Sequence, residues 1–554
     1  MYSWKISLDF LLENKVNIIL FFVFTSLAYP LEAIVIPQIY SQFFETINQK
    51  TKPQVVAKFL GMIALLLCVV KISDGIIHYL ESLMIPKFNE YILNYIYTNI
   101  LLKHQNNYSE IELGKLISRI NTIPTVLREL STDITIWVFP KFIAILIINA
   151  YFFYLNKQLG FVSVVMIALI WILNYYMCRK CIPLSNMRHS LLEKNSEEIQ
   201  NKLSNLMTIY SSGKLRQEID EYMKGTNKYS AKYKENLDCV NHIRHMNGFF
   251  DIVLFVVLNG FTAYLFFKKK ISFGILMSIF ITVIYYLPCV STISSSLPDL
   301  VHYMGVLTEI DDFLGEIYDH HKHVPVRPKL KLQTGDIEIK DLTFGYEGRD
   351  KIFEKFNLHI PHQQKVCIRG SSGNGKTTLI KLIMGYYEIP KDTIFLDHKD
   401  IRKYDVNSVR SEISYVNQNN KLLNGTIYEN IQYGNEISKR EIDVLVVKFG
   451  IQGIYDNMPD GLDSDVGIQG ANLSGGQKQL IHILRAMCVP KKIIILDEPT
   501  SAIDPANKHV VLKVISELSK NSTLILITHD ETIMNMCDRQ IFIQNGKIVK
   551  DNSS

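Results

Sequence analysis

A glycine-rich loop carries the residues best suited to holding phosphate groups. It spans residues 370–377 and stands between a short predicted strand, residues 366–369, and an apolar predicted helix. Glycines let backbone N–H groups curl around phosphates, and the helix N-terminus adds a favourable partial charge. We expect Lys376 to reach the β- and γ-phosphates of a nucleotide and the Thr377 hydroxyl to bind Mg²⁺. The candidate ATP-binding residues are Gly370, Ser371, Ser372, Gly373, Asn374, Gly375, Lys376, Thr377 and Thr378.

Two adjacent carboxylates follow an apolar strand downstream of this loop. The run of residues 493–496 is all isoleucine and leucine, and Asp497 and Glu498 come directly after it. Asp497 fits a Mg²⁺ partner, either directly or through water, and Glu498 fits the general base that polarises an attacking water. The pair is weak evidence alone and strong evidence when a phosphate loop precedes it.

A third motif, Leu-Ser-Gly-Gly-Gln over residues 473–477, makes the pattern specific. A serine hydroxyl and two glycine amides that open a helix form an anion site. The motif resembles the signature sequence of ABC ATPases. The resemblance implies that these residues contact the γ-phosphate of an ATP held by a partner domain. The residues concerned are Ser474, Gly475, Gly476 and Gln477.

Four further residues match elements of that family in order. Tyr346 resembles the aromatic residue that stacks on adenine, and Gln418 resembles the glutamine that touches Mg²⁺ and water. Asp504 resembles the acidic residue at the dimer seam, and His529 resembles the switch histidine near the γ-phosphate. The resemblance therefore makes Glu498, His529 and Gln418 the catalytic set. It makes Thr377, Gln418 and Asp497 the Mg²⁺ set.

The first part of the chain is rich in long apolar runs, and the whole chain is 48% hydrophobic. A bilayer core needs about twenty apolar residues per helix. Six segments meet that requirement and predict a membrane α-helical domain. They cover residues 16–40, 55–78, 134–155, 159–178, 249–267 and 273–293.

Two long polar stretches, residues 86–133 and 179–247, separate some of these segments. Since polar backbone cannot cross lipid as a loop, we expect helices that continue out of the membrane. Lysine and arginine are frequent in the second stretch, which places it in the cytoplasm. The lysines at 268–270 lie in a short loop that this topology places outside, contrary to the positive-inside rule. We keep the topology because the ATP site must be cytoplasmic, and six crossings return the chain to that side.

Together the two parts resemble an exporter-type ABC half-transporter over essentially the whole chain. The implied fold is six transmembrane helices with long cytoplasmic extensions, followed by an α/β P-loop ATPase domain. We expect a transmembrane domain at 1–319, a linker at 320–334 and an ATPase domain at 335–554. Coupling helices are expected near residues 104–108 and 209–213.

Several other features of the sequence do not indicate a further function. The net charge of +5 is too modest to indicate nucleic-acid binding. The Cys178 and Cys181 pair, one helical turn apart, is interpreted as incidental, with a metal or redox role as the alternative. The histidines at 320, 321 and 323 are interpreted as part of a solvated hinge, with metal binding as the alternative. No cleavable signal peptide is evident.

The sequence departs from the exporter pattern at three residues and at its end. Ile468 and Gln469 stand where many exporters have glutamate and arginine, in a loop that relays ATP binding. Leu480 replaces a common arginine. Because residue 554 follows soon after a predicted strand at 540–544, we expect no final helix, and contacts between two ATPase domains would be weaker.

One chain carries one ATPase domain, so we expect a dimer, and the intact motifs favour a homodimer over a heterodimer. ATP and Mg²⁺ are the expected cofactors, and a lipid bilayer the expected setting. The alternative to an ATP-driven transporter is an ATP-gated channel or regulatory membrane ATPase on the same fold. Importers are disfavoured, and a peptide-processing exporter is disfavoured because no peptidase domain precedes the first helix. The sequence does not identify the cargo.

A row of polar residues lies along one side of the second apolar segment. Lys71, Asp74, His78 and Glu81 are spaced three, four and three residues apart, which aligns them on a helix. Two interpretations stand equal: the row lines a transport pathway, or its members pair locally near the membrane surface. Glu32 is a candidate neighbour that would favour a cationic or amphipathic cargo.

Overall fold

The computed structural model describes residues 2–46, 53–105, 113–322, 327–346, 348–418, 421–452, 458–489, 491–505 and 508–553. The chain forms two compact units. One comprises residues 1–101 and 110–322, and the other comprises residues 102–109 and 323–554. The second unit therefore includes a short piece of chain that lies far from the rest of it in sequence.

Among its described residues, all the regular secondary structure of the first unit is helical. Long apolar runs without strand-like alternation make helices here, since a helix satisfies every backbone group internally. Two π-helical segments, Leu31–Val35 and Asp133–Val138, interrupt the regular helices. The α-helices are α1 (Tyr2–Glu13), α2 (Lys15–Pro30), α3 (Ile36–Thr46), α4 (Pro53–His104), α5 (Leu113–Thr132), α6 (Phe139–Leu155), α7 (Lys157–Ser204), α8 (Leu206–Ser211), α9 (Leu215–Phe267) and α10 (Phe273–Lys322).

Six helical stretches among the described residues are long and apolar enough to cross a membrane, which confirms the predicted fold class. Helix α9 has 53 residues, so it is about 80 Å long, against a hydrocarbon core of about 30 Å. The polar parts of such helices therefore extend beyond the bilayer, as expected. The stretches are Lys15–Thr46, Pro53–His104, Arg119–Leu155, Lys157–Ser204, Leu215–Phe267 and Phe273–Leu300.

Some polar side chains pair inside this bundle, and many apolar side chains face outward. Tyr286 is fully buried, and its hydroxyl accepts a hydrogen bond of 2.8 Å from the Asn149 amide and lies 3.0 Å from the Ser163 hydroxyl. Leu65 and Phe161, by contrast, are 68% and 65% exposed. This pattern suits a protein whose surrounding solvent is hydrocarbon.

The interpretation of Cys178 and Cys181 as an incidental pair agrees with the structure, which does not join them to each other. Cys181 forms a disulfide with Cys239, which joins α7 to α9, while Cys178 is a buried free thiol. The two bonded residues are separated by 58 positions in sequence. Helical packing, rather than local spacing, brings them together, and the sequence analysis did not predict this disulfide.

The hinge prediction also differs from the structure in one detail. Helix α10 continues through Lys322, so residues 320–322 of the predicted linker are helical. His323 and the three residues after it lie outside the described part of the chain.

The second unit contains two β-sheets. The larger has the strand order β10-β9-β3-β8-β7-β6, parallel except for the β9–β10 pair, and the smaller is antiparallel with the order β2-β1-β4-β5. The strands are β1 (Ile337–Gly345), β2 (Lys351–Ile360), β3 (Lys365–Arg369), β4 (Ile394–Leu396), β5 (Lys399–Asp400), β6 (Ile413–Val416), β7 (Ile493–Asp497), β8 (Thr523–Ile527), β9 (Arg539–Gln544) and β10 (Lys547–Ser553).

In the described part of this unit, seven α-helices accompany these strands. Every residue of β7 and β8 is buried, as expected for central strands of a parallel sheet covered on both faces. The helices are α11 (Lys376–Ile383), α12 (Val406–Ser411), α13 (Ile427–Gln432), α14 (Lys439–Phe449), α15 (Gly475–Cys488), α16 (Lys508–Leu518) and α17 (Glu531–Met534).

Candidate active site

The order of the parallel strands brings the predicted motifs to one edge of the larger sheet. Strands β3, β8, β7 and β6 are successive neighbours and run in the same direction. The phosphate loop follows β3, His529 follows β8, Asp497 and Glu498 end or follow β7, and Gln418 follows β6. Ligands of open α/β sheets bind outside the carboxyl ends of the strands. Motifs that are far apart in sequence thus converge where such a ligand would lie.

The phosphate loop wraps around the ammonium group of Lys376. Its Nζ atom donates hydrogen bonds to the carbonyl oxygens of Gly370, at 2.6 Å, and Ser371, at 3.1 Å. Gly370 has φ +150°, and a Cβ atom there would collide with the carbonyl oxygen of Ile543. The loop conformation therefore needs glycine at its first position, and it holds the lysine at the start of α11.

Thr377 and Asp497 form the candidate Mg²⁺ site. The Thr377 hydroxyl donates a hydrogen bond of 3.2 Å to Oδ2 of Asp497. Burial raises the pKa of Asp497, while the hydrogen bond from Thr377 and the charge of Lys376 oppose that rise. A hydroxyl and a carboxylate are hard oxygen donors, and Mg²⁺ binds such groups alongside substrate phosphates. The two side chains therefore fit the role that the sequence gave them.

Glu498 sits in a strained backbone position beside His529. Its φ is +53°, which is uncommon for a residue other than glycine, and its N–H donates to the Ile527 carbonyl at 2.8 Å. Oε1 of Glu498 lies 3.8 Å from Nε2 of His529. Burial raises the pKa of Glu498, and the charge of His529 lowers it. A carboxylate with a raised pKa next to a histidine is suited to accept a proton from water.

The predicted adenine-stacking residue lies near the same loop. The hydroxyls of Tyr346 and Thr378 are 3.1 Å apart, which ties the loop after β1 to α11. The Tyr346 ring meets Phe344 and Tyr387 edge-on, with centroids 5.4 and 5.3 Å away. This contact places Tyr346 beside the phosphate loop, where the resemblance requires it.

Gln418 is less closely connected to the other predicted site residues. It lies two residues beyond β6 and is exposed. Among the described residues no hydrogen bond joins it to Asp497 or Glu498. Its proposed contacts with Mg²⁺ and water therefore remain a prediction from the resemblance.

The signature residues open α15 through a capping box. The Ser474 hydroxyl accepts a hydrogen bond of 3.2 Å from the Gln477 N–H, and the Gln477 side chain accepts one of 2.9 Å from the Ser474 N–H. A Cβ atom at Gly476 would lie 3.0 Å from the Ala502 carbonyl oxygen, so the helix start packs tightly against the segment after β7. The serine hydroxyl keeps its own proton and can still donate it to an anion.

A cavity of about 260 Å³ lies beside these residues, lined by Ser474, Gly476, Gln477 and Asp504 among others. Within the described residues, none of the phosphate-loop positions lines this cavity. Three signature residues thus share the lining of one cavity with Asp504, which the resemblance assigns to the dimer seam.

One contact that the sequence did not predict joins these two regions. Gln479 is fully buried in α15, and its Nε2 atom donates a hydrogen bond of 3.2 Å to the backbone carbonyl oxygen of Glu498. A glutamine at a buried position of an amphipathic helix is a usable signal, because a buried amide needs a partner. The sequence does not say which partner that is.

A second unpredicted contact involves the short segment of residues 102–109. Arg410 donates hydrogen bonds to the backbone oxygens of Gln105, Gly385 and Met384, the last two at 2.9 and 3.1 Å. Burial lowers the pKa of Arg410. Gln105 also accepts a hydrogen bond of 3.3 Å from the Asn407 side chain. Within the sheet-containing unit, the first predicted coupling region therefore packs against Arg410 and Asn407 through Gln105, and its residues 106–108 lie outside the described part.

The second predicted coupling region, 209–213, falls on the end of the short helix α8 and the turn after it. Of the departures from the exporter pattern, Leu480 is 9% exposed and packs into the core around α15. Ile468 is 74% exposed, and Gln469 has φ +54°. The apolar replacements thus occupy two different environments: one is core, and the other is surface.

The polar row on α4 consists of two local pairs. Nζ of Lys71 lies 3.0 Å from Oδ2 of Asp74, and Nδ1 of His78 lies 3.0 Å from Oε2 of Glu81. Glu32 interacts electrostatically with Lys71 and Asp74. The pairs fit the local interpretation. They do not oppose the pathway interpretation, because the Lys71 side chain is 74% exposed.

Two family models match the chain. The model described as ABC transporter transmembrane region matches residues 16–287, and the model described as ABC transporter matches residues 353–501. The matched ranges include the first five membrane-crossing stretches, most of the sixth, the phosphate loop, the signature and Asp497 with Glu498.

Curated relatives and a solved structure agree with these matches. The ATP-dependent lipid A-core flippases of Escherichia coli (strain K12) and Shigella flexneri are each 35% identical over 224 residues, which cover 40% of this chain and 38% of the relative. A bacterial Atm1-family ABC exporter solved with ATP bound shares the fold, with a TM-score of 0.82 and 18% identity. That match covers 98% of this chain and 95% of the solved one.

The fold and the site agree with these matches. The chain has six membrane-crossing stretches and shares the exporter fold. The phosphate loop, the carboxylates and the signature all lie in its sheet-containing unit. The chain therefore belongs to the ABC transporter family: it joins a multi-pass transmembrane region to an ATPase domain, and it has the fold of a solved ABC exporter.

Proposed function

We propose that two copies of this chain form an ATP-driven exporter that moves an amphipathic cargo across a membrane. The observation that carries the proposal is the convergence of Lys376, Thr377, Asp497, Glu498 and His529 at one sheet edge. These side chains supply phosphate binding, metal ligation and a general base. The same chain contains the six membrane-crossing stretches that such a site would drive.

Each side chain has a separate task in ATP hydrolysis. Lys376 and the loop amides hold the phosphates, and Glu498 accepts a proton from the attacking water. His529, 3.8 Å from Glu498, orients that carboxylate and reaches toward the γ-phosphate. Thr377 and Asp497 would hold Mg²⁺, which when bound neutralises phosphate charge and positions the nucleotide. Gln418 is proposed to contact the same ion.

The site is completed by a second copy. The cavity beside Ser474 supports this step, because no described residue of the phosphate loop lines it. In the proposed homodimer, Ser474, Gly475, Gly476 and Gln477 of one copy contact the γ-phosphate held by the other. Asp504 lies at the seam between the copies.

Closure of the ATPase dimer drives the transport step. ATP bound at the seam favours the closed dimer, and hydrolysis reopens it, so the nucleotide shifts the population between two states. Arg410 and Gln105 form one route by which closure reaches the long helices, because residue 105 directly follows α4. The short helix α8 is the proposed second route.

The cargo class follows from the relatives and from the charged residues of α4. The flippases that this chain resembles are named for lipid A-core. Here Lys71 and Asp74, with Glu32 close enough to interact, offer charges of both signs within a membrane-crossing stretch. Such groups are expensive in lipid unless they face water or a partner.

Reconstitution into vesicles tests the proposal. Fluorescent amphiphiles placed on the outside of vesicles whose ATPase domains face outward should accumulate inside against a gradient when ATP is added. Vesicles that contain the Glu498→Gln chain serve as the control. Flow only down a gradient would replace the transporter with an ATP-gated channel. ATP hydrolysis without movement of any probe would favour a regulatory ATPase.

A further inference from the structure

The lysines at 268–270 have no role in the function proposed above. They form the turn between α9 and α10, after a membrane-crossing stretch that ends at Phe267 and before one that begins at Phe273. The predicted topology places this turn outside, where short loops usually carry few lysines. Three lysines in succession there are unusual, and their charge needs a partner.

The backbone of this turn is a common helix ending that holds an uncommon residue. The N–H of Lys270 donates a hydrogen bond of 3.0 Å to the Leu265 carbonyl, and that of Lys269 donates one of 2.8 Å to the Phe266 carbonyl. In a helix ending of this kind the residue with positive φ is usually glycine, because a Cβ atom is unfavourable there. Lys269 occupies that position with φ +53°. A lysine held where the backbone favours glycine indicates that its side chain is used.

A fourth lysine lies on the same surface. Lys157 begins α7, and its neighbour Gln158 accepts a hydrogen bond of 3.2 Å from Nζ of Lys270. All four lysines are exposed, and none forms an ion pair with an acidic side chain among the residues that the structure describes. The carboxylate of Glu45, at the same end of the unit, accepts a hydrogen bond from the Ser272 hydroxyl. The surface is therefore positively charged and open to an anion.

Exposed aromatic side chains border these lysines. Tyr154 and Phe267 are 84% and 81% exposed, and the Tyr264 ring centroid lies 5.9 Å from Nζ of Lys268. Exposed tyrosines at the end of a membrane-crossing stretch are typical of the level where lipid headgroups lie. The lysine ammonium groups thus reach the depth of the headgroup phosphates, while the rings beside them face the upper part of the acyl chains.

We propose that the lysines at 157, 268, 269 and 270 bind the phosphate group of an anionic phospholipid in the outer leaflet. Tyr154 and Phe267 contact the apolar part of the same lipid. A zwitterionic lipid fits less well, because its own cation offsets the phosphate charge. A soluble phosphate offers the same anion but gains nothing from the exposed rings. This binding surface is separate from the proposed ATP site, and it does not require that the lipid is transported.

Photo-cross-linking in lipid nanodiscs tests the proposal on the full chain. The nanodiscs consist of phosphatidylcholine with a small fraction of phosphatidylglycerol that carries a diazirine in its headgroup. Mass spectrometry should find adducts on residues 154–158 and 264–272. Their yield should exceed that of an equal fraction of phosphatidylcholine with the same diazirine by about tenfold or more, since each lysine near an anionic surface contributes about fivefold.

Substitutions then identify the groups responsible. Lys269→Gly removes a charge and suits the backbone of the turn, so it should lower the adducts about fivefold without unfolding the chain. Adding Lys268→Gln and Lys270→Gln should remove most of the remainder, whereas Lys269→Arg should keep the full yield. Gel filtration of each variant confirms that it folds.

The matched control removes three exposed lysines from the polar part of α9, through Lys224→Gln, Lys228→Gln and Lys234→Gln. This control has the same loss of charge as the triple variant of the turn, at a distance from the lipid. Its adducts on residues 154–158 and 264–272 should match those of the unchanged chain.

Three results would overturn the inference. One is an equal adduct yield from phosphatidylglycerol and phosphatidylcholine. Another is a preference for phosphatidylglycerol that survives in the triple variant of the turn. The third is full competition by glycerophosphoglycerol, the same headgroup without acyl chains, at a concentration equal to that of the lipid, which would assign the surface to a soluble anion. None of these results bears on ATP-driven transport, which the vesicle experiment tests separately.

Discussion

The Gln479 side chain donates a hydrogen bond of 3.2 Å to the backbone carbonyl oxygen of Glu498, and so connects the signature helix to the proposed general base. Gln479 is fully buried, and Glu498 has φ +53°. A hydrogen bond to the carbonyl of a residue in a rarely adopted conformation helps to hold that conformation. The signature helix thus supports the base of its own chain while its first residues are proposed to serve the partner's nucleotide.

We expect Gln479→Leu to lower kcat for ATP hydrolysis by about tenfold and to leave KM for ATP nearly unchanged, since a lost buried hydrogen bond costs about 1–2 kcal/mol. Steady-state ATPase kinetics of the full chain in nanodiscs measure both constants. Gln432→Leu, at a half-buried position of α13 outside the predicted site, is the control. A fall in thermal stability with an unchanged kcat would make Gln479 a packing residue and not a positioning residue.

Glu498→Gln should leave ATP binding intact and slow hydrolysis by about 10²–10⁴-fold, the usual contribution of a general base. Nucleotide binding by fluorescence and phosphate release by colour assay separate the two effects. Glu436→Gln, an exposed carboxylate after α13, is the matched control. Near-normal turnover in the Glu498→Gln chain would remove this residue from its role.

Lys376→Ala should weaken ATP binding as well as turnover. The substitution removes a positive charge that the loop carbonyls of Gly370 and Ser371 hold in place. A loss of binding of about tenfold or more is expected for a charge-assisted contact to phosphate. Titration with a fluorescent ATP analogue measures it, with the exposed Lys391→Ala as control. Unchanged affinity would show that the backbone amides bind the nucleotide unaided.

Acid should destabilise the ATPase domain through His482. Burial, followed by the charge of Arg485, lowers the pKa of His482 from 6.5 to about 4. The unfolded chain therefore takes up a proton near pH 6.5, and the folded chain takes it up only near pH 4. Stability is full above pH 6.5 and falls as the pH drops toward 4, by up to about 3 kcal/mol.

Melting curves of the full chain between pH 7 and pH 4 test this expectation. The transition of the ATPase domain is identified as the one that ATP shifts to a higher temperature. His482→Gln should flatten the decline in Tm over that window. His362→Gln, in the exposed turn before β3, should not. An equal decline in the His482→Gln chain would assign the acid sensitivity to other groups.

The sequence predicted those parts of the site that local chemistry and strand order determine. Gly370, Asp497 and His529 could be placed near one another because each follows a buried apolar run that reads as a strand, and parallel strands share a carboxyl edge. The six membrane-crossing stretches could be predicted because the thickness of lipid determines their length.

Contacts made by packing were not predictable. The disulfide of Cys181 with Cys239, and the hydrogen bonds of Arg410 to Gln105, join residues whose local sequences give no sign of a partner. The π-helical segment Leu31–Val35, which holds Glu32, was missed for the same reason. A π-helical turn has no distinctive local sequence pattern, because what the helix packs against determines where it forms.

The most direct test of the account is a cross-link across the proposed dimer. One tagged chain carries Ser372→Cys and a differently tagged chain carries Ser474→Cys, both with Glu498→Gln to retain ATP. A short bismaleimide should join the two tags when ATP and Mg²⁺ are present, and much less without nucleotide. Chains that both carry Ser372→Cys are the control. Cross-links that form only within one chain, or that ignore ATP, would contradict a composite site shared by two copies.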